Sequence, residues 1–379
     1  MRIYLDHNAT TPLRPEVVEA MARVLRERFG NPSSTHAEGR AARAELDRAR
    51  EQLAALLRVP EREIVFTGSA TEANNAALAH AARAHPTQPL AATTTEHPSV
   101  EEPLADLEAA GRPVLRVPVD ADGRIDLAAL DAALDRAPAL LSVIWANNET
   151  GTLQPIAEIA ERAAARGVPL HLDATQAVGK VPVELDRLPA AFVSGSAHKF
   201  NGPKGVGFLV VRDATFSALL RGGPQEARRR GGTENLSGIV GMGVAAELAG
   251  EALSERAKAH AALRDRLWDG IRASIPRVRR NGSPAHALPN TLNVEFIEAA
   301  GDVALQALDL EGIGVSAGAA CASGSISPSR VLVAMGRSAA EAHGSLRFSV
   351  GFGTEAQHID RTLALLPDIV ERARGAFAA

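Results

Sequence analysis

One cysteine, one tyrosine and two tryptophans are all that the 379 residues carry of these types, and aromatic residues make up only 3% of the chain. A single thiol excludes an intrachain disulfide and suits a reducing compartment, so a cytoplasmic location is expected. No CxxC, HExxH or clustered Cys/His spacing is present, and no metal site is expected. A dominant sign of charge is missing too: 41 basic against 45 acidic residues give a net charge of −4. That balance lacks the basic face a nucleic-acid partner requires. No apolar run approaches the roughly 18 residues of a membrane span, and no basic-then-apolar leader is seen, so neither membrane insertion nor secretion is expected. Repeats and low-complexity tracts are absent. What remains, 46% hydrophobic and 23% charged residues, is ordinary for a globular protein of two domains or three.

The most informative segment is Ser194-Gly-Ser-Ala-His-Lys-Phe-Asn-Gly-Pro-Lys-Gly205. It places Lys199 just after the apolar run Ala190–Val193 and before a Gly/Pro-rich turn. A lysine at the open end of a buried strand can lose its proton and condense with a carbonyl, which is how pyridoxal phosphate is held. A surface lysine is the bland alternative. Ser196 and His198 flank Lys199 with side-chain donors suited to a phosphate. Upstream, Leu170-His-Leu-Asp173-Ala-Thr-Gln176 ends another apolar strand on a carboxylate, which would keep a pyridine nitrogen protonated.

Apolar runs alternate with helical periodicity from about residue 60 to residue 212. This βαβ rhythm reads as an α/β fold, a mostly parallel sheet with helices on both faces. Ligands gather at the carboxyl ends of such strands, where Gly68–Thr71, His97, Asn148, Asp173 and Lys199 fall. A long helical stretch around residues 240–275 is expected to lead into a smaller α+β domain. The large domain is expected over residues 13–255; residues 1–12 and 256–379 would form the small one. Gly68-Ser-Ala-Thr71 reads either as a phosphate site at a helix start or as simple capping by Ser69 or Thr71. Arg228-Arg-Arg230 reads as a solvated loop or as an anion contact beside Thr233. His7, His36 and His171 read as structural. Arg347, ahead of Phe348-Ser-Val-Gly351, offers a planar fork that matches an α-carboxylate.

Ordered motifs along most of the chain carry a family resemblance: Tyr4–Pro12, Phe29–Ser34, Phe66–Asn75, Thr95–Ser99, Asn147–Gly151, Arg230–Asn235, Ser316–Cys321 and Ser345–Ser349. Together they resemble the cysteine desulfurases, pyridoxal phosphate enzymes related to class V aminotransferases. The resemblance implies a fold-type I transferase acting on L-cysteine. Ala70, Thr71, Gln176, Ser196 and His198 would line the cofactor's phosphate side, with Thr233 reaching the cofactor of a partner in a homodimer. His97 would stack on the ring and move protons, and Asn148 would bond the phenolic oxygen. Arg347 would hold the substrate, and Lys199 would anchor the cofactor and shuttle the α-proton. Cys321 lies in a Gly/Ala/Ser-rich run that should pack poorly and be mobile. A mobile thiol there could take the substrate's sulfur as a persulfide and carry it to an acceptor or scaffold protein, for iron–sulfur cluster assembly or tRNA thiolation. Selenocysteine lyase or another class V aminotransferase is the alternative, and a non-catalytic scaffold a more distant one.

Overall fold

A computed structural model describes residues 2–317 and 328–378. The chain opens with β1 (Ile3–Tyr4). Seven strands then build the main sheet: β2 (Ile64–Thr67), β3 (Leu90–Thr93), β4 (Val114–Val117), β5 (Leu141–Ile144), β6 (Leu170–Asp173), β7 (Phe192–Ser196) and β8 (Gly207–Val211). Their spatial order is β2-β8-β7-β6-β5-β3-β4. The neighbours from β4 to β7 pair in parallel, and only β8 runs against its neighbours. Strands β2, β3, β5, β6, β7 and β8 are buried along their whole length. That explains near-continuous apolar runs in place of alternation, as expected of a sheet covered on both faces. Successive residues still face opposite layers: Phe192 and Leu209 join the core with Ala77 and Leu104, whereas Val193 and Val210 join the core with Leu46, Leu53 and Met242.

Next come β9 (Val278–Asn281) and β10 (Thr291–Phe296), and β11 (Ile313–Gly314) returns to pair in parallel with β1. Strands β12 (Ser316–Ala317) and β13 (Ser345–Ser349) complete an antiparallel sheet of order β12-β13-β10-β9. Its core gathers Ile3, Leu5, Leu267, Ile271, Val294, Phe348 and Ile369. The opening segment thus packs with this sheet, yet Thr11 N–H donates to the His198 carbonyl of the main one at 2.9 Å.

Two expectations change in detail. The strand before Lys199 runs on to Ser196, because Ser194, Gly195 and Ser196 keep pairing with Leu209, Phe208 and Gly207 of β8, where two glycines make room for neighbours. A Cβ at Gly195 would lie 2.4 Å from the Phe208 ring, and one at Gly207 2.6 Å from the Ser69 backbone. Lys199 therefore closes a 3-10 turn, Ala197–Lys199. The helical stretch around 240–275 is two helices, Leu236–Glu251 and Leu253–Ser274, bent by 78°. Ala252 breaks them with φ −137° and ψ 35°, outside helical space.

Candidate active site

Asp173 ends β6 with its side chain buried. Its carboxylate accepts from Asn74 Nδ2 at 2.9 Å and from Thr175 N–H at 3.0 Å. Asn74, on the helix Ala70–Ala84, also donates to Ser99 Oγ at 2.8 Å and accepts from Ser194 Oγ. His97 caps the next helix, Pro98–Ala109, and its Nδ1 accepts the Ser99 N–H at 3.1 Å. A backbone N–H can only donate, so the neutral ring carries its proton on Nε2. Burial lowers the His97 pKa; Asp173 opposes that shift, and Lys199 and Arg330 add to it. The imidazole thus lies within the fields of both the carboxylate and the amine that the sequence singled out.

Lys199 Nζ donates to the carbonyls of Asn8 and Ala9 at 2.7 and 2.8 Å. Gln176 is buried and donates to the same Asn8 carbonyl at 2.9 Å. His198 is held by Thr10 Oγ1 at 3.2 Å, and burial, with Lys199 and Lys204 adding to it, pushes its pKa down to about 4. Ser196 is buried, with a long contact of 3.4 Å to the Val206 carbonyl. Across from these, buried Arg347 in β13 donates from Nη2 to Asp6 at 2.6 Å and from Nη1 to the Asn148 carbonyl at 2.9 Å. Asn148 is half-buried in the turn after β5.

Ser69, not Thr71, caps the helix Ala70–Ala84, accepting the Glu72 N–H at 3.2 Å. The N–H groups of Ala70 and Thr71 have no intrahelical partner, and the Thr71 side chain is exposed. Thr233 is exposed too. Arg230 is not a solvated loop residue: it grips Glu72 at 2.9 and 3.3 Å. Cys321 lies outside the described residues.

Residues 3–362 match the family model of class-V aminotransferases. A cysteine desulfurase of Cereibacter sphaeroides is 48% identical over 377 residues, 98% of this chain and 97% of that one. The chain belongs to the class-V aminotransferase family, among its cysteine desulfurases. A solved NifS-like protein matches with a TM-score of 0.92 at 36% identity, covering 98% of this chain and 100% of that one. The structure titled "SspA in complex with cysteine" matches with a TM-score of 0.82 at 34% identity, covering 92% and 99%.

Cysteine desulfurases depend on pyridoxal phosphate, and the donor set here fits that group. A buried carboxylate, an amine on the turn that follows a strand and an open helix start would suit its ring nitrogen, aldehyde and phosphate in turn. Among the described residues, buried Thr175 Oγ1, two residues past Asp173, has no hydrogen-bond partner, and neither has Arg347 Nε. Buried polar atoms of this kind are what a polar ligand would satisfy.

Other residues of this desulfurase site escaped the sequence reading. Asn74 and Ser99 orient Asp173 and His97. Glu96, buried, accepts from Thr93 Oγ1 at 2.5 Å and Ile144 N–H at 2.8 Å, and burial pushes its pKa up to about 8. Glu149 accepts from Ser329 Oγ at 2.5 Å, and burial raises its pKa to about 7. Asn8 and Lys180 are buried beneath Lys199. Asn8, Asn74, Glu96, Ser99 and Glu149 fall inside motifs that carried the resemblance, the one signal that could have found them.

Proposed function

We infer that the protein removes sulfur from L-cysteine, releasing L-alanine and retaining the sulfur on Cys321. The observation that carries this is the chain of hydrogen bonds from His97 through Ser99 and Asn74 to the Asp173 carboxylate, with the Lys199 amine close enough to shift the His97 ring, in a chain nearly half identical to a cysteine desulfurase. Pyridoxal phosphate supplies the aldehyde for the amines and a protonated ring that accepts electrons from the substrate's α-carbon. Lys199 Nζ offers the covalent anchor, then takes and returns a proton. Asp173 holds positive charge opposite its carboxylate, and His97 holds a proton at Nε2. The Ala70 and Thr71 N–H groups with Ser196, His198 and Gln176 would hold the phosphate side, and Asn148 would hydrogen-bond the phenolic oxygen. Arg347 binds the α-carboxylate, exchanging its Asp6 contact for the substrate. Cys321 Sγ attacks the substrate sulfur: an S–S bond forms, the Cβ–S bond breaks with its electron pair left on carbon, and that carbon takes a proton. Cysteine and a thiol thereby give alanine and a persulfide, with no outside oxidant.

The reading extends to a homodimer in which Thr233 serves the partner's site, and to a protein acceptor or scaffold for the sulfur, as in iron–sulfur cluster assembly. It places the protein in the cytoplasm and takes residues 13–255 and residues 1–12 with 256–379 as its two domains. Incubation with L-cysteine and a reductant should release alanine and sulfide in equal amounts. Pyruvate formed from cysteine, or alanine only when a keto acid is added, would refute it.

A further inference from the structure

Asn8 is 1% exposed, and every polar atom it owns is engaged. Its N–H donates to Ser349 Oγ at 2.9 Å. Its carbonyl accepts from Gln176 Nε2 at 2.9 Å and from Lys199 Nζ at 2.7 Å. Side-chain Oδ1 accepts from Lys180 Nζ at 3.0 Å and Asn290 Nδ2 at 3.1 Å. Side-chain Nδ2 donates to Thr291 Oγ1 at 2.9 Å and to the Asn148 carbonyl at 3.2 Å. That same Asn148 carbonyl is the one Arg347 Nη1 grips at 2.9 Å.

One residue therefore touches the anchoring lysine directly and the carboxylate-binding arginine through a shared acceptor. Four of its partners come from the main-sheet side (Asn148, Gln176, Lys180 and Lys199) and three from the β10–β13 side (Asn290, Thr291 and Ser349). We infer that Asn8 is a positioning residue, fixing the Lys199 amine against the Arg347 guanidinium and so setting where a substrate can offer amine and carboxylate together. The inference rests on the reading of Lys199 and Arg347 given above.

The chemistry asks for an amide. Two donors meet Oδ1 and two acceptors meet Nδ2, so all four hydrogen-bonding valences are used with the right polarity. An isosteric carboxylate would keep the Oδ1 side but turn an acceptor toward the Asn148 carbonyl, loosening the contact shared with Arg347. It would also set a negative charge against Lys180 and Lys199, near the Arg347 guanidinium that Asp6 already pairs. Lys180 shows how finely charge is balanced there: burial, then Lys199 and Arg347, push its pKa well below the ordinary lysine value.

The test compares wild type with Asn8→Asp and Asn8→Ser. Apoenzyme is mixed with pyridoxal phosphate at a series of pH values, reduced with borohydride, and the modified lysine mapped by mass spectrometry. Binding of L-cysteine and of L-cysteine methyl ester to holoenzyme is read from the visible spectrum. In wild type the adduct maps to Lys199, and the ester binds more weakly because Arg347 has lost its partner. In Asn8→Asp the pH of half-maximal trapping rises by roughly one unit, as a new anion favours charged lysine. In both variants the preference for the free carboxylate over the ester falls about tenfold, a change of ~1.4 kcal/mol. Should Asn8→Asp fail to fold, Asn8→Ser carries the test through the ester preference alone. Variants that only melt earlier or turn over more slowly, with preference and trapping profile unchanged, overturn the inference. A wild-type adduct on another lysine would instead overturn the reading of Lys199, and the inference with it.

Discussion

At the scale of single residues, Arg347 and Cys321 separate binding from sulfur transfer. Arg347 is buried and already spends Nη2 on Asp6, so under the proposed function a substrate carboxylate must better that contact. Arg347→Ala should raise the KM for L-cysteine by the loss of a charge-assisted fork, about 2–4 kcal/mol, with cofactor content intact. An unchanged KM would place the carboxylate elsewhere. Cys321→Ala should still change its spectrum on adding cysteine but accumulate no alanine catalytically. Wild type treated briefly with cysteine should carry one extra sulfur, removable by reductant, on the peptide holding Cys321. Alanine made by the variant at the wild-type rate would rule out a protein persulfide. A free thiol is only a few per cent ionised at neutral pH, so the rate should climb on the alkaline side until another group titrates.

At the scale of elements, the segment ahead of Thr233 is held by an unusual device. Glu226, Ala227 and Arg228 take φ values of 46°, 55° and 64°, the left-handed region that side chains disfavour. The anchor is Glu226, buried, which accepts from Arg50 at 2.7 and 3.1 Å and from the Phe66 N–H at 2.9 Å. Arg50→Ala would strand that carboxylate and should cost roughly 3–5 kcal/mol in chemical denaturation. Native-state proteolysis should then cut within residues 221–235 first. A loss below about 1 kcal/mol would show the ion pair to be replaceable. The same segment tests the dimer. Lys199→Ala and Thr233→Ala chains, each impaired alone, should regain activity when mixed and reassembled, because one site of the hybrid then has both residues. Absence of recovery would mean that Thr233 serves its own subunit's site.

For the whole molecule, buried titratable groups tie stability to pH. Glu96 holds its proton up to about pH 8 in the fold and releases it near 4.5 when unfolded. The folded state binds more protons between those values, so this group's contribution is complete below pH 4.5 and is lost as pH rises through 8. His7, His171 and His260, held near 4 by burial, act with the opposite sign, losing stability as pH falls from 6.5. The opposing slopes are separated by difference. The melting temperature of Glu96→Gln minus that of wild type should grow more positive from pH 5 to pH 8. A constant difference would mean that Glu96 is ionised in the fold.

The sequence by itself determined the alternation of strand and helix, the strand-end placement of Asp173 and the order of the family motifs. These are local: an apolar run that stops at a carboxylate leaves that side chain at a strand end, whatever the rest of the chain does. Tertiary structure decided what surrounds them. Asn8 meets partners 140 to 341 positions away, and Asn74 reaches Asp173 across 99. A buried asparagine has no signature of its own, since its partners exist only once the two sheets close on it. The 78° break between the helices after residue 236 likewise escaped periodicity, since both halves keep helical spacing. That Gly195 lies under the Phe208 ring and Gly207 against the Ser69 backbone was decided by contacts between segments, which no single-strand pattern records.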